Sequence, residues 1–320
     1  MPDTIALSAV IPDELAGQRL DQAVAHLFPD YSRSRLQSWI KSGELTVNGA
    51  TLRPKDKIMG GETVSIGAEL QDEGRWEPQQ IDFGLFYEDE QLLVLDKPVG
   101  LVVHPAAGHA DGTLVNALLE HCPALAQLPR AGIVHRLDKD TSGLMVVAKT
   151  LEAHTSLVKQ LQAREVHREY EALVYGAMTG GGKVDAPMGR HPQQRKKMAV
   201  VRAGGKDAVT HYRMIARYAH FSHVRCLLET GRTHQIRVHM AHIKHPLIGD
   251  QLYAGRLRQP KGASELLSET LRTFRRQALH ARRLELLHPA SGELVSWESE
   301  LPADFQRLRD VLAAEDKAGG

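Results

Sequence analysis

Long apolar runs are missing from this chain of 320 residues, so no segment reads as a membrane span. The first residues carry Asp3 among polar neighbours where an export signal needs a basic patch and then an apolar stretch, and secretion is not expected. Cysteine is scarce. Cys122 and Cys226 lie far apart without metal-ligand spacing, and a secreted chain of this length would use more disulfides. A reducing, cytoplasmic setting is therefore the expectation. Excess charge is absent too: 40 Lys and Arg stand against 39 Asp and Glu, a net of +1, so any contact with nucleic acid must come from local patches. There is no glycine-rich phosphate loop and no internal repeat at solenoid periods. His239, His242 and His245 are evenly spaced, but no HExxH-like glutamate accompanies them, so they read as structural and no metal is expected.

What is present is an ordinary globular composition, 42% hydrophobic and 25% charged, in a chain long enough for one large domain and a small accessory one. Residues 1–16 read as an extension and 17–68 as the small domain. Leu20, Val24, Leu27 and Phe28 repeat at helical spacing. Ser32 is placed to cap a second helix with inward face Leu36, Trp39 and Ile40, ended by Gly43. Leu45 to Val47 then reads as a strand and Asn48-Gly49 as a tight turn. Arg33, Arg35 and Lys41 fall off the apolar face, free to meet phosphates or simply water.

Polar residues 69–80 break both periodicities and read as a linker to a second domain over 81–310, with 311–320 as a tail. In the second domain Leu92–Leu95 reads as a strand, followed by a turn at Lys97-Pro98-Val99-Gly100 and a short strand to His104. Thr113–Glu120 and Leu151–Gln162 read as helices, Gly143–Ala148 as a buried strand, and Glu169–Tyr175 and Val224–Leu228 as further strands. Thr233 is placed to cap a helix through Ile236, Met240 and Ile243. Strands and helices mix without a repeated strand-helix unit, so the fold class expected is α+β on a mixed sheet, not a doubly wound one.

Special residues concentrate in His135-Arg136-Leu137-Asp138-Lys139-Asp140-Thr141-Ser142-Gly143, a loop just before the buried strand. Asp138 or Asp140 can be a turn-former bonding nearby backbone N–H groups. Either can instead be a carboxylate held ionised by a cation and available as nucleophile or base. Arg136 in the loop and Arg232 in the Gly231-to-Arg237 segment are the candidate cations, guanidinium suiting a bidentate carboxylate pair.

Two resemblances attach to these residues. Arg19-Leu20-Asp21, Ser32 to Leu36, Lys41-Ser42-Gly43 and Val47-Asn48-Gly49 resemble the S4 RNA-binding domain. His135 to Gly143 resembles the HRLDxxTSG signature of the RluA-type pseudouridine synthases. Asp96 to His104, Arg168-Glu169-Tyr170, Gly231 to His239 and His245 to Asp250 are similar to that family's other motifs, and Pro187 to Pro192 with Arg195 to Met198 point to its large-ribosomal-subunit branch. Lys244 and Ala254 depart from the family pattern without touching the motif residues.

The resemblance implies an S4 domain joined to a catalytic domain on a mixed, mainly antiparallel sheet with flanking helices. It implies isomerisation of uridine to pseudouridine in 23S ribosomal RNA, in the helix 69 stem-loop, by base flipping and without cofactor. Asp138, Tyr170 and Arg232 are the implied catalytic set, Arg232 pairing with Asp138. His135, Arg136, Leu137 and Ile236 are the implied substrate contacts, and Arg33, Arg35, Lys41, Arg190, Arg195, Lys196 and Lys197 the implied RNA contacts. A basic run at Arg272, Arg275, Arg276, Arg282 and Arg283 reads as a phosphate track or a solvated face. The partner implied is the large ribosomal subunit or its precursor, met by a monomer. A non-catalytic S4-type RNA chaperone or ribosome assembly factor explains the first domain alone. A glycosidase-like hydrolase needs two carboxylates flanking one bond, which Asp138 and Asp140 are too close in sequence to provide.

Overall fold

The computed structural model describes residues 4–29, 31, 33–69, 76–105, 110–194 and 197–318, which fall into two compact units, Met1–Arg75 and Trp76–Gly320. The first unit contains β1 (Thr4–Val10), α1 (Leu20–Leu27), α2 (Arg33–Ser42), β2 (Leu45–Val47) and β3 (Thr63–Glu69). Its sheet runs β1-β3-β2, so residues assigned on sequence to an extension form a strand pairing antiparallel with β3. That short strand carries only a weak alternating pattern, and it is the partner edge of β3 that makes it a strand. Leu20, Val24, Leu36, Trp39 and Ile40 pack into one core as their spacing predicts. Asp21 sits buried beneath them, gripped by Arg19 through two hydrogen bonds of 3.0 and 3.1 Å and by Gln37 at 2.6 Å, the pairing that a buried carboxylate needs. Asn48 and Gly49 both take positive φ, 49° and 78°, the backbone of a primed turn. The Ser32 cap lies outside the described residues.

The second unit is built on a nine-stranded sheet. Along the chain come β4 (Leu85–Glu88), β5 (Leu92–Lys97), α3 (Leu114–His121), β6 (Ser142–Ala148), α4 (Leu151–Ala163), β7 (His167–Tyr175) and β8 (Gly182–Asp185). They are followed by β9 (Met188–Arg190), β10 (Met198–Val200), β11 (Val209–Arg217), β12 (Phe221–Leu228), α5 (Gln235–His242), α6 (Glu265–Thr273), β13 (Leu279–Leu287), β14 (Leu294–Glu298) and α7 (Ala303–Ala318). The order across the large sheet is β4-β5-β6-β13-β7-β12-β11-β8, with β14 added to β13 and β9–β10 a separate hairpin. Every pairing is antiparallel except β13 with β6, so the sheet is mixed and mainly antiparallel.

Both faces are covered, which is why β6 is apolar and buried along its whole length. Successive residues alternate between faces: Leu93, Leu95, Met145 and Val147 pack with α3, while Leu92, Val94, Leu144 and Val146 pack with Ala153 and Leu157 of α4. Thr113 caps α3 in a capping box with Asn116. Residues 76–80, expected in the linker, belong to this unit: Asn116 Nδ2 donates to the Glu77 carbonyl and the Gln79 amide to the Asn116 carbonyl. The expected strand to His104 is not formed; Val102 makes a single bridge to Thr113. The expected tail continues α7, where Leu312 packs with Phe305 and Leu308.

Candidate active site

The loop before β6 is fixed from three sides. The Thr141 amide closes its turn on the Asp138 carbonyl at 3.0 Å, and neither acidic side chain caps that turn. Gln277 Nε2 donates to Thr141 Oγ1 at 3.0 Å. The third hold is Lys97, fully buried at the end of β5, whose ammonium donates to the carbonyls of Pro98, Leu101 and Lys139 at 2.8 to 2.9 Å. Burial pulls its pKa from 10.5 to about 8, against the opposing pull of Asp140 and Asp138. Gly143 follows with φ +113°, and an added Cβ would fall 2.3 Å from the Ala281 carbonyl oxygen, so only glycine lets β6 meet β13 here.

So held, Asp138 points into a cavity of about 350 Å³, the right size for one extruded nucleotide base. Its side chain keeps 15% exposure, and Arg237 Nη1 donates to Oδ2 at 2.8 Å. The same guanidinium binds Asp250 through two bonds of 2.7 and 2.9 Å, so one arginine ties two carboxylates. Burial alone would lower the Arg237 pKa, but Asp250 and Asp138 outweigh it and raise it. Tyr253 lies under that guanidinium at 5.0 Å and shares a 2.7 Å hydrogen bond with His234 Nδ1.

His135, Arg136, Leu137, Asp138, Tyr170, Arg232 and Ile236 all line this one cavity. The expected pairing of Arg232 with Asp138 is not what the structure shows. Arg232 is exposed in the turn before α5 and its Nε donates to the Asp207 carbonyl at 3.0 Å. Arg237, inside α5, takes the carboxylate instead, and His234 with φ 59°, not Thr233, occupies the N-cap position of that helix. Gln235 secures that turn by accepting from Thr230 Oγ1 and the Arg232 amide and donating to the Val209 carbonyl and Thr210 Oγ1.

Tyr170 stands on β7, 6% exposed, with a phenol pKa raised by burial and by Asp138 against the opposing effect of Arg168. His135 Nε2 accepts from the Val146 amide at 3.1 Å, which leaves the ring proton on Nδ1, shielded and unpartnered. Burial, then Arg168, lower its pKa to about 3, so the ring is neutral. Arg168 also carries an unpartnered Nε–H and presses against Gly231, where a Cβ would meet its Nη1 at 2.6 Å. His239 is spent on packing, its nitrogens facing Thr210 Oγ1 and the Ala186 carbonyl, and His245 faces the Tyr175 carbonyl.

Among the other implied RNA contacts, Lys41 is exposed on α2, Arg35 is half-buried there, and the Arg33 side chain lies outside the described residues. Arg190 ends β9 and Lys197 precedes β10 in the same hairpin, while Arg195 and Lys196 are outside the described residues. Sequence reasoning missed Lys97, Arg168, Gln235, Arg237, Asp250 and Tyr253. The signal for Lys97 was present as a cation following Asp96 at the end of an apolar strand.

This fold is that of a family the chain belongs to, the RNA pseudouridylate synthases, whose model matches residues 91–242, with an S4 domain matching residues 18–64. The chain is 61% identical over 318 residues, 99% of each chain, to the ribosomal large subunit pseudouridine synthase D of Pseudomonas aeruginosa. It is 55% identical over 316 residues to the protein of that name from Escherichia coli strain K12, covering 98% of this chain and 97% of the relative. The solved structure of human RNA pseudouridylate synthase domain containing 4 aligns with 28% identity and a TM-score of 0.57, over 72% of this chain and 93% of that one.

Proposed function

We propose that this enzyme converts specific uridines of large-subunit (23S) ribosomal RNA, in the helix 69 stem-loop, to pseudouridine. The observation that carries the reading is Asp138, an accessible carboxylate aimed into a base-sized cavity and held by Arg237. A uridine stacked in RNA is out of reach, so it is extruded into the cavity and the unstacking cost is offset by contacts there. Asp138 acts at or beside the ribose anomeric carbon. The N1–C1′ bond breaks, the uracil turns, C5 bonds to C1′, the C5 proton leaves and N1 takes one up. Reactant and product have the same atoms and oxidation level, so side chains suffice.

Arg237 aims the Asp138 carboxylate by donating to its Oδ2 at 2.8 Å. Tyr170 gives the base a face to stack on, and its hydroxyl relays the C5 proton, passing its own proton on as it takes that one up. In Tyr170→Phe we expect glycosidic cleavage to survive while product release stalls; full turnover with normal release would remove the proton role and leave stacking. Arg136, exposed at the rim, fills the space in the RNA stack vacated by the base. Arg35 and Lys41 of the S4 unit, with Arg190 and Lys197, meet phosphates of the RNA. The partner is the large subunit or its precursor, approached by a monomer in the cytoplasm.

The deciding experiment is pseudouridine mapping on ribosomal RNA from cells lacking the protein, complemented with wild type or Asp138→Ala. Sites that vanish and return only with wild type establish the reaction and its carboxylate. Restoration by Asp138→Ala would remove Asp138 from the chemistry, and no change at any site would favour a non-catalytic RNA chaperone.

A further inference from the structure

The basic run over 272–283 divides once its partners are known. Arg276 is buried and holds Asp304 with bonds of 2.6 and 2.8 Å, Arg282 reaches Glu298 at 2.7 Å, and Arg283 reaches Glu285 at 2.5 Å. These three charges are already spent. Arg272 and Arg275 are exposed and, among the described residues, meet no carboxylate within ion-pair distance. The loop between β12-linked α5 and α6 adds two more such cations, Arg256 and Arg258, the latter with its guanidinium 5.7 Å from the centre of the Tyr175 ring.

Arg256, Arg272 and Arg275 line one open hollow of about 250 Å³, together with Tyr175, Gln251 and Asp250. Asp250 does not neutralise them. Its Oδ2 is held by Arg237 Nε, and its Oδ1 takes Arg237 Nη2 and the Leu252 and Tyr253 amides. Like charges gathered without counter-charge cost the folded state, and that cost is recovered when an anion arrives. Exposed guanidiniums spread over a loop, a helix end and the turn after it suit successive phosphates of a chain better than one compact anion.

We infer that Arg256, Arg258, Arg272 and Arg275 form a docking site for backbone phosphates of ribosomal RNA flanking the target uridine. The inference rests on the proposed function in taking RNA as the partner. The hollow is separated from Asp138 by the Asp250–Arg237 pair, so the phosphates held here belong to nucleotides other than the one isomerised.

The test is equilibrium binding, without turnover, of the full-length protein to a ribosomal RNA fragment carrying the target stem-loop and its flanking helices. Arg256→Ala/Arg272→Ala/Arg275→Ala should weaken binding about tenfold or more at physiological ionic strength. Its plot of log K against log salt should be shallower by about 2, as expected for lost phosphate contacts. The corresponding triple Lys variant, which keeps the charges, should retain most of the affinity. Unchanged affinity and salt slope in the triple Ala variant would overturn the docking site, as would loss of binding to anionic lipid vesicles with RNA binding intact. Failure of wild type to form pseudouridine would instead strike the proposed function, because the binding readout does not depend on it.

Discussion

In Arg237→Ala we expect turnover to fall below detection and stability to drop by about 3–5 kcal/mol, the usual cost of removing one partner from a buried ion pair. The size follows from the geometry. Arg237 is 9% exposed and compensates two carboxylates, one of them fully buried, so its loss leaves Asp250 with no cation and Asp138 without its aim. Arg237→Lys should recover only part of both effects, since an ammonium cannot grip Asp250 with two parallel bonds while reaching Asp138. Arg232→Ala is the contrast. Arg232 is exposed and bonded to one backbone carbonyl, so stability should change by less than about 1 kcal/mol, and any fall in rate reports contact with RNA. Thermal unfolding and single-turnover rates for the three variants decide it; a stable Arg237→Ala enzyme with a near-normal rate would refute the assignment.

Lys97→Met should lower the maximal rate by about a hundredfold, the scale on which a catalytic group displaced by an ångström loses efficiency. Lys97 touches nothing that reacts. Its ammonium ties the carbonyls of Pro98 and Leu101 to that of Lys139, the residue after Asp138, and methionine fills the space while leaving those carbonyls without a donor. The pH dependence gives an independent signature. Lys97 holds its proton up to about pH 8 in the fold, against an ordinary value of 10.5. Between those values the unfolded chain binds a proton that the folded chain has released, so this group's contribution to stability rises from about pH 8 to 10.5 and is unfavourable below. Stability of Lys97→Met should lack that rise. The rate of the wild type should decline above about pH 8, because a neutral amine has two N–H donors for three carbonyls. Parallel stability curves for wild type and variant across that range would count against the buried charge.

The parts of this molecule legible in the sequence are those set by local periodicity. The inward face of α2, the helix over 113–120 and the unbroken burial of β6 all follow from residue spacing within one element. The loop carrying Asp138 was equally legible because unusual residues crowd beside a rigid strand. Less legible was which arginine reaches it. Arg232 and Arg237 lie five positions apart in one motif, and choosing between them requires knowing that His234 adopts a left-handed backbone and starts the helix one residue later than Thr233 would. The role of Asp250 was hidden for a related reason: its partner is in another element, and no local pattern marks a residue that acts by holding an arginine. The strand at Thr4–Val10 was missed because its identity depends on β3, more than fifty residues away in register.

The placement of β13 has a bearing on when the protein becomes active during its own synthesis. This late strand inserts between β6 and β7, and His280 meets Ser142 from 138 residues further along the chain. Until it emerges from the translating ribosome, β6 has an open edge, Gly143 has no backbone against it, and the Asp138 loop lacks the Gln277 bond that steadies Thr141. Closing so distant a pairing is slow relative to forming helices and hairpins. A nascent chain therefore displays Asp138 well before the cavity around it is closed, and the loop is steadied only once β13 has been made.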